Sequence, residues 1–173
     1  MSMELLGGEY IRVFYNPADA ARSKRDHLED IVTFLPWCAT IDAFQHWIYT
    51  HPGHTREERE AYWLELRRRF GGIESWEGYE ANHRSMWQRQ LHLYEVPFYY
   101  IEYGIAQLGA LGVWHRARKD FRSAVEAYKR ALALGGSRPL PELFEAAGLR
   151  FDFGPDNIAQ VVESLRGELT KDE

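Results

Sequence analysis

Helix punctuation recurs along this chain from one end to the other, and it leaves little room for a sheet. Asn16-Pro17 offers an N-cap followed by proline at the first helical position. Leu28, Ile31, Val32 and Leu35 then fall at spacings of three and four, one face of a helix. Pro36 predicts a break, because proline lacks the N–H and crowds the preceding turn. Trp37 to about Thr50 is apolar nearly all round and is expected to be a second, buried segment. His51-Pro52-Gly53-His54 is a turn. Thr55-Arg56-Glu57-Glu58 is a capping box whose helix stops at Gly71-Gly72. Further helices are predicted over Tyr79 to Tyr94, from Pro97 to about Arg118, and over Asp120 to Leu134 with a stop at Gly135-Gly136. A short one is opened by Pro139 and Pro141 and ends near Gly148, and Pro155 opens the last, from Asp156 to about Leu169. Period-2 alternation is missing, and only Tyr10 to Tyr15 stays undecided. The expectation is an all-α fold, a bundle of about seven helices forming a single helical domain over residues 1–173.

Composition narrows the function classes. A length of 173 residues suits one domain with a real core. Apolar content is ordinary and aromatics are abundant, so disorder is expected only at Thr170 to Glu173. No apolar run approaches the roughly 20 residues of a membrane span. Met1 to Gly8 shows no basic region followed by an apolar stretch, so it is not read as a secretory signal. A net charge of −5 argues against a phosphate-tracking surface. Arg67-Arg68-Arg69 reads as a solvated helix end. Cys38 stands alone, which excludes an internal disulfide and fits a reducing cytoplasm; its apolar neighbours predict an inert buried thiol.

Two features ask for more than periodicity. Met1 to Leu6 looks like the last turn and a half of a helix capped by Gly7-Gly8, too short to be stable alone. A frayed turn and a chain cut inside a longer helix both fit. The helix after Pro97 contains Gly104, Gly109 and Gly112, each costing about 1 kcal/mol against alanine in a helix interior. With Ala106 and Ala110 they form a small-residue surface, expected to let another helix approach closely.

No self-contained catalytic motif is present. There is no His-Glu-x-x-His; His27-Leu28-Glu29-Asp30-Ile31 lacks the second histidine. His51 and His54 flank a Pro-Gly turn and would leave a zinc site short of a third ligand, so they read as turn and surface histidines. Phosphate-binding glycine loops and a Gly-x-Ser-x-Gly elbow are absent. The densest polar-aromatic stretch is His92-Leu93-Tyr94-Glu95-Val96-Pro97-Phe98-Tyr99-Tyr100-Ile101-Glu102-Tyr103. Pro97 pushes Val96 out of the helical region, which puts a bend between His92 and the tyrosines. Tyr99, Tyr100 and Tyr103 lie three and four apart and can line one turn. An imidazole beside phenols can stabilise an oxyanion; buried tyrosines with one satisfied hydroxyl would give the same pattern.

At this stretch the chain resembles oligoendopeptidase F of the thimet oligopeptidase group. The resemblance runs from His92 to Leu111, and it also takes in Asp42 to His54, Ala131 to Gly136 and Leu140 to Phe144. It implies the C-terminal, substrate-side part of a larger helical zincin-type peptidase that cuts short peptides. In that family a His-Glu-x-x-His helix gives two zinc ligands and the base, and a glutamate on the next helix gives the third ligand. The resemblance makes His92 an electrophile or substrate-carbonyl donor. Tyr99, Tyr100 and Tyr103 become candidate phenol donors, and Tyr94 joins His92, Tyr99 and Tyr103 in binding substrate. Which tyrosine acts stays open, since thimet relatives have a glycine-rich loop where this chain has Val96-Pro97. Glu4 is not carried over as the third ligand. The implied picture is a fragment or split subunit, needing zinc in the complete enzyme but binding none alone, and inactive without a missing metal-binding half. Surfaces left bare would favour self-association. A competing reading is an interaction module: Asp120 to Leu134 resembles one tetratricopeptide helix, although no partner stands at the offset of about 34 residues.

Overall fold

The computed structural model describes residues 1–72 and 74–171. The expected disordered end thus falls partly on Asp172 and Glu173, which lie outside the described residues. Nine α-helices and two 3₁₀ turns, with no strand, make up the regular structure among the described residues. None of these helices is long and apolar enough to cross a membrane.

Helix α1 (Ser2–Gly7) is not capped by its glycines: Gly8 keeps helical angles, φ −55° and ψ −26°. The chain continues into a 3₁₀ turn, Gly8–Val13, over most of the stretch the sequence left undecided. Helix α2 (Pro17–Thr50) starts as predicted, with the Asp19 amide donating to Asn16 Oδ1 at 3.0 Å. It then runs through Pro36 without a break, contrary to the sequence expectation. Proline removes the N–H that would meet the Val32 carbonyl. Val32 is 44% exposed, so water can serve that carbonyl. Burial on both sides of the proline, Leu28 and Ile31 before it and Cys38, Ile41 and Phe44 after it, holds the helix together.

Helix α3 (Arg56–Phe70) has the predicted box: Thr55 Oγ1 accepts from the Glu58 amide at 3.1 Å, and Glu58 Oε2 accepts from the Thr55 amide at 2.7 Å. The predicted helix over Tyr79 to Tyr94 is instead α4 (Glu80–Ser85), a 3₁₀ turn (Met86–Arg89) and the single turn α5 (His92–Glu95). Ser85 Oγ donates to the carbonyls of Ala81 and Asn82, and such side-chain bonds compete with the helix ladder. Trp87 turns inward against Phe44, with ring centroids 5.6 Å apart. Helices α6 (Ile101–Lys119), α7 (Phe121–Leu134), α8 (Leu140–Ala146) and α9 (Pro155–Leu169) follow. Helix α6 begins four residues after Pro97, because the intervening residues form a turn. Gly135 (φ 54°) and Gly148 (φ 74°) take left-handed angles where α7 and α8 end.

Two compact units are resolved. One comprises Ile31–Ile105. Its core is Ile41, Phe44, Trp63, Leu66 and Trp87. Trp63 is wholly buried, edge-on to Phe44 at 5.1 Å, and donates its indole N–H to the His83 carbonyl at 2.9 Å. Arg67, expected to be solvated, is buried beneath Trp37 and pairs with Glu74 at 3.5 Å; Arg68 and Arg69 are exposed. The other unit is Met1–Asp30 with Ala106–Glu173. Leu6, Val113, Ala117 and Ala124 form its core. Its Glu168 carboxylate is surrounded by Lys24, Arg118 and Lys171. The α6 glycines do serve packing. A Cβ on Gly104 would sit 3.6 Å from Cys38 Cβ, one on Gly109 3.0 Å from Phe144 Cζ, and one on Gly112 3.0 Å from Leu149 Cδ2. Ala110 is buried with them, but Ala106 is exposed.

Candidate substrate-side site

All five residues singled out in the sequence fall in the Ile31–Ile105 unit. Val96 ends α5 with φ −138° and ψ 74°, outside the helical region that Pro97 disfavours for the residue before it. The Tyr99 amide donates to the Val96 carbonyl at 3.2 Å, closing a turn over Val96-Pro97-Phe98-Tyr99. Phe98 has φ 61°, so the turn has proline second and a left-handed residue third, the pattern of type II. Glycine is the usual occupant of that third place, and a left-handed angle costs other residues roughly 1–2 kcal/mol. The Glu102 and Tyr103 amides then bond to the Tyr99 and Tyr100 carbonyls and lead into α6.

This bend folds three phenols around one imidazole. The Tyr99 ring lies parallel to His92 with centroids 6.3 Å apart. Tyr100 and Tyr103 approach His92 edge-on at 5.0 Å and 5.7 Å. Tyr103 also meets Tyr99 and Tyr100, at 5.4 Å each. The Tyr103 hydroxyl is 3.5 Å from His92 Nε2. The cluster is not sealed in the core: Tyr99 is 44% exposed, and His92, Tyr100 and Tyr103 are half-buried. Tyr94 lies apart, since among the described ring contacts it stacks on Trp87 at 6.1 Å and not on His92.

Sequence reasoning missed Gln90. Its side-chain Nε2 is 2.6 Å from His92 Nδ1. With that amide donating, Nδ1 accepts, and the neutral ring holds its proton on Nε2, the nitrogen facing Tyr103. Burial raises the Tyr103 phenol above its ordinary range, and the Tyr99 hydroxyl adds to this. Burial, then the nearby Cys38 sulfur, raises Tyr100 likewise. Both phenols therefore stay protonated at neutral pH and remain donors. Burial and then Asp42 push the Cys38 thiol up to about 12, so it is no thiolate nucleophile.

Among the described residues, no three His, Cys, Asp or Glu side chains converge to hold a metal ion. His51 and His54 pack their rings on Trp47 at 4.9 Å and 5.0 Å, and His54 Nε2 faces Arg59 at 2.9 Å. These residues do not fit a zinc site. What the cluster assembles is a set of hydrogen-bond donors on a partly open aromatic face.

The sequence profile of peptidase family M3 matches residues 2–160. The chain belongs to that family. M3 peptidases are zinc enzymes in general. The chain is similar to a solved structure of PZ peptidase A with an inhibitor: 34% identity, TM-score 0.87, covering 97% of this chain and 30% of that one. It is also similar to a candidate oligoendopeptidase F, with 34% identity and TM-score 0.84, covering 98% of this chain and 30% of the other. A candidate oligoendopeptidase F from Bacillus anthracis str. Ames has 29% identity and TM-score 0.76, covering 97% and 27%. This M3 chain thus spans about 30% of the length of the first two structures it matches. No curated protein sequence matches it. The M3 match takes in the whole of α7, so the helix that resembled a tetratricopeptide repeat lies inside the peptidase segment.

Proposed function

We propose that these 173 residues act as one domain forming the substrate-side wall of an M3 oligoendopeptidase that hydrolyses short peptides. His92 and Tyr103 would present N–H and O–H donors to the carbonyl oxygen of the bond being cut, with Tyr99 and Tyr100 shaping the same face and Tyr94 further along it. The observation that supports this most directly is the 3.5 Å approach of Tyr103 Oη to His92 Nε2 on a half-exposed surface. Two donors converging on one point can hold a carbonyl and stabilise the negative charge that develops on its oxygen. Gln90 would keep the imidazole proton on the nitrogen that needs it.

Donors of this kind do not generate a nucleophile. The reading therefore has the chain inactive alone, with the family's zinc chemistry coming from residues beyond these 173. The lone buried thiol fits a reducing, cytoplasmic setting. Exposed Met3, Val13 and Phe14 support self-association; a monomer at high concentration by light scattering argues against it.

The test is peptide binding and hydrolysis by the purified chain, with and without added zinc. Binding weakened by His92→Ala and Tyr103→Phe, with no hydrolysis by the wild type, is expected. A robust zinc-dependent hydrolysis rate from this chain alone would overturn the proposal.

A further inference from the structure

We propose that Gln45 is a positioning residue that latches the Val96–Tyr99 turn and thereby sets Tyr99 and Tyr103 against His92; this rests on the donor reading given above. Gln45 lies in the middle of α2 and is only 2% exposed. Its Oε1 accepts the Phe98 backbone N–H at 2.8 Å, across 53 residues of sequence. Its Nε2 is buried without a hydrogen-bond partner. Half of this amide is thus a liability that an apolar side chain of similar volume would avoid. The acceptor half is what distinguishes glutamine here.

The group it holds is one that needs holding. Phe98 is the single non-glycine residue with positive φ among the described residues, and it occupies a turn position that glycine would fill without strain. Its ring rests between His46 and Tyr49, each at 4.9 Å. One stretch of α2 therefore grips both the backbone and the side chain of Phe98. Tyr99 is the next residue, and the turn joins the imidazole side of the cluster to the phenol side. If Phe98 returned to an ordinary φ, the peptide leading into Tyr99 would rotate and the ring geometry around His92 would change.

The experiment compares wild type, Gln45→Met and Gln45→Glu in the full chain. Methionine keeps the volume and removes the acceptor, whereas glutamate keeps an oxygen facing Phe98 and loses no bonded N–H. Two quantities are read: hydrogen exchange at the Phe98 amide, and affinity for an N-acetylated tetra-alanine amide, followed through the backbone amide signals of Tyr99 and Tyr103 by NMR. Gln45→Met is expected to speed Phe98 exchange about tenfold, the scale of one hydrogen bond, and to weaken peptide affinity several-fold, while Gln45→Glu restores both. Gln45→Leu, also apolar and without an acceptor, is the second variant should Gln45→Met fold poorly, and the same two outcomes are expected of it. Unchanged Phe98 exchange in Gln45→Met overturns the latch. Faster exchange with wild-type affinity overturns the positioning role. Equal binding by wild type and His92→Ala overturns the donor reading and the role of Gln45 with it, and is told apart from a failed latch because Phe98 exchange still responds to Gln45→Met.

Discussion

Substituting Gly104 by alanine should stabilise the protein, and the two other α6 glycines should not follow it. All three lie in a helix interior, where glycine costs about 1 kcal/mol relative to alanine. They differ in what a new methyl group would meet. At Gly104 the nearest atoms are Cys38 Cβ at 3.6 Å, Ile101 Cδ1 at 3.8 Å and Cys38 Sγ at 3.9 Å, ordinary contact distances. The helix gain is kept, and Gly104→Ala should raise stability by about 1 kcal/mol, or roughly 2–4 °C in Tm for a chain of this size. At Gly109 the methyl would sit 3.0 Å and 3.3 Å from Phe144 ring atoms, and at Gly112 at the same distances from Leu149 methyls. Relieving such contacts costs typically 1–3 kcal/mol, which cancels the gain or exceeds it. Urea denaturation and thermal melts of the three single variants decide the matter. A destabilised Gly104→Ala, or three equal increments, would refute the reasoning, since either result means these contacts do not govern the cost of glycine in α6.

Three further outcomes follow from the same geometry. Thr55→Ala should destabilise by about 1 kcal/mol in urea denaturation and Thr55→Ser by much less, because the serine hydroxyl can still accept from the Glu58 amide. Trp63→Ala should cost about 3–5 kcal/mol, since it empties a wholly buried site and leaves the His83 carbonyl without its donor; a loss under 1 kcal/mol would mean the site collapses readily. At Glu168, burial alone would raise the carboxyl, but Lys171, Lys24 and Arg118 outweigh it, and the folded-state value lies below the ordinary one. A depressed acid contributes stability that is complete above the unfolded value and is lost as pH falls through the folded one. The wild type should therefore lose more stability on acidification below about pH 4.3 than Glu168→Gln does, and parallel pH profiles would show that these ion pairs contribute nothing.

The ends of the elements were legible wherever a local rule decided them. The Thr55 box, the Gly135 and Gly148 stops and the Pro155 start all stand where the residues placed them. Each rests on a bond or an angle formed within a few residues, so nothing distant can overrule it. Errors arose where tertiary contact competed with local preference. Pro36 lies within α2 because apolar residues on both sides of it are buried, a fact about surroundings that a proline cannot report. The predicted Tyr79–Tyr94 helix breaks because Trp87 is worth more inside the core than on a continuous helix. Arg67 leaves solvent for a place beneath Trp37, although its two neighbours behave as a charged helix end should.

The site divides along the same line. Spacing put Tyr99, Tyr100 and Tyr103 on one turn, and the Pro97 bend carries them back to His92, so the cluster itself could be anticipated. Tyr94 was grouped with them by the family resemblance, and its ring packs on Trp87. What no local rule could supply are the two glutamines. Gln90 addresses the imidazole from two residues away, in a stretch that reads as ordinary polar sequence. Gln45 reaches the turn from 53 residues away. A phenylalanine where a type II turn wants glycine was nonetheless visible as a misfit in Val96-Pro97-Phe98-Tyr99, once that stretch is read as a turn. Such a misfit persists only if something outside the segment holds it, and so it is a sequence signal for a partner even when it cannot say which. Here the partner is the stretch of α2 bearing Gln45, His46 and Tyr49, and the backbone it restrains leads directly into the phenols.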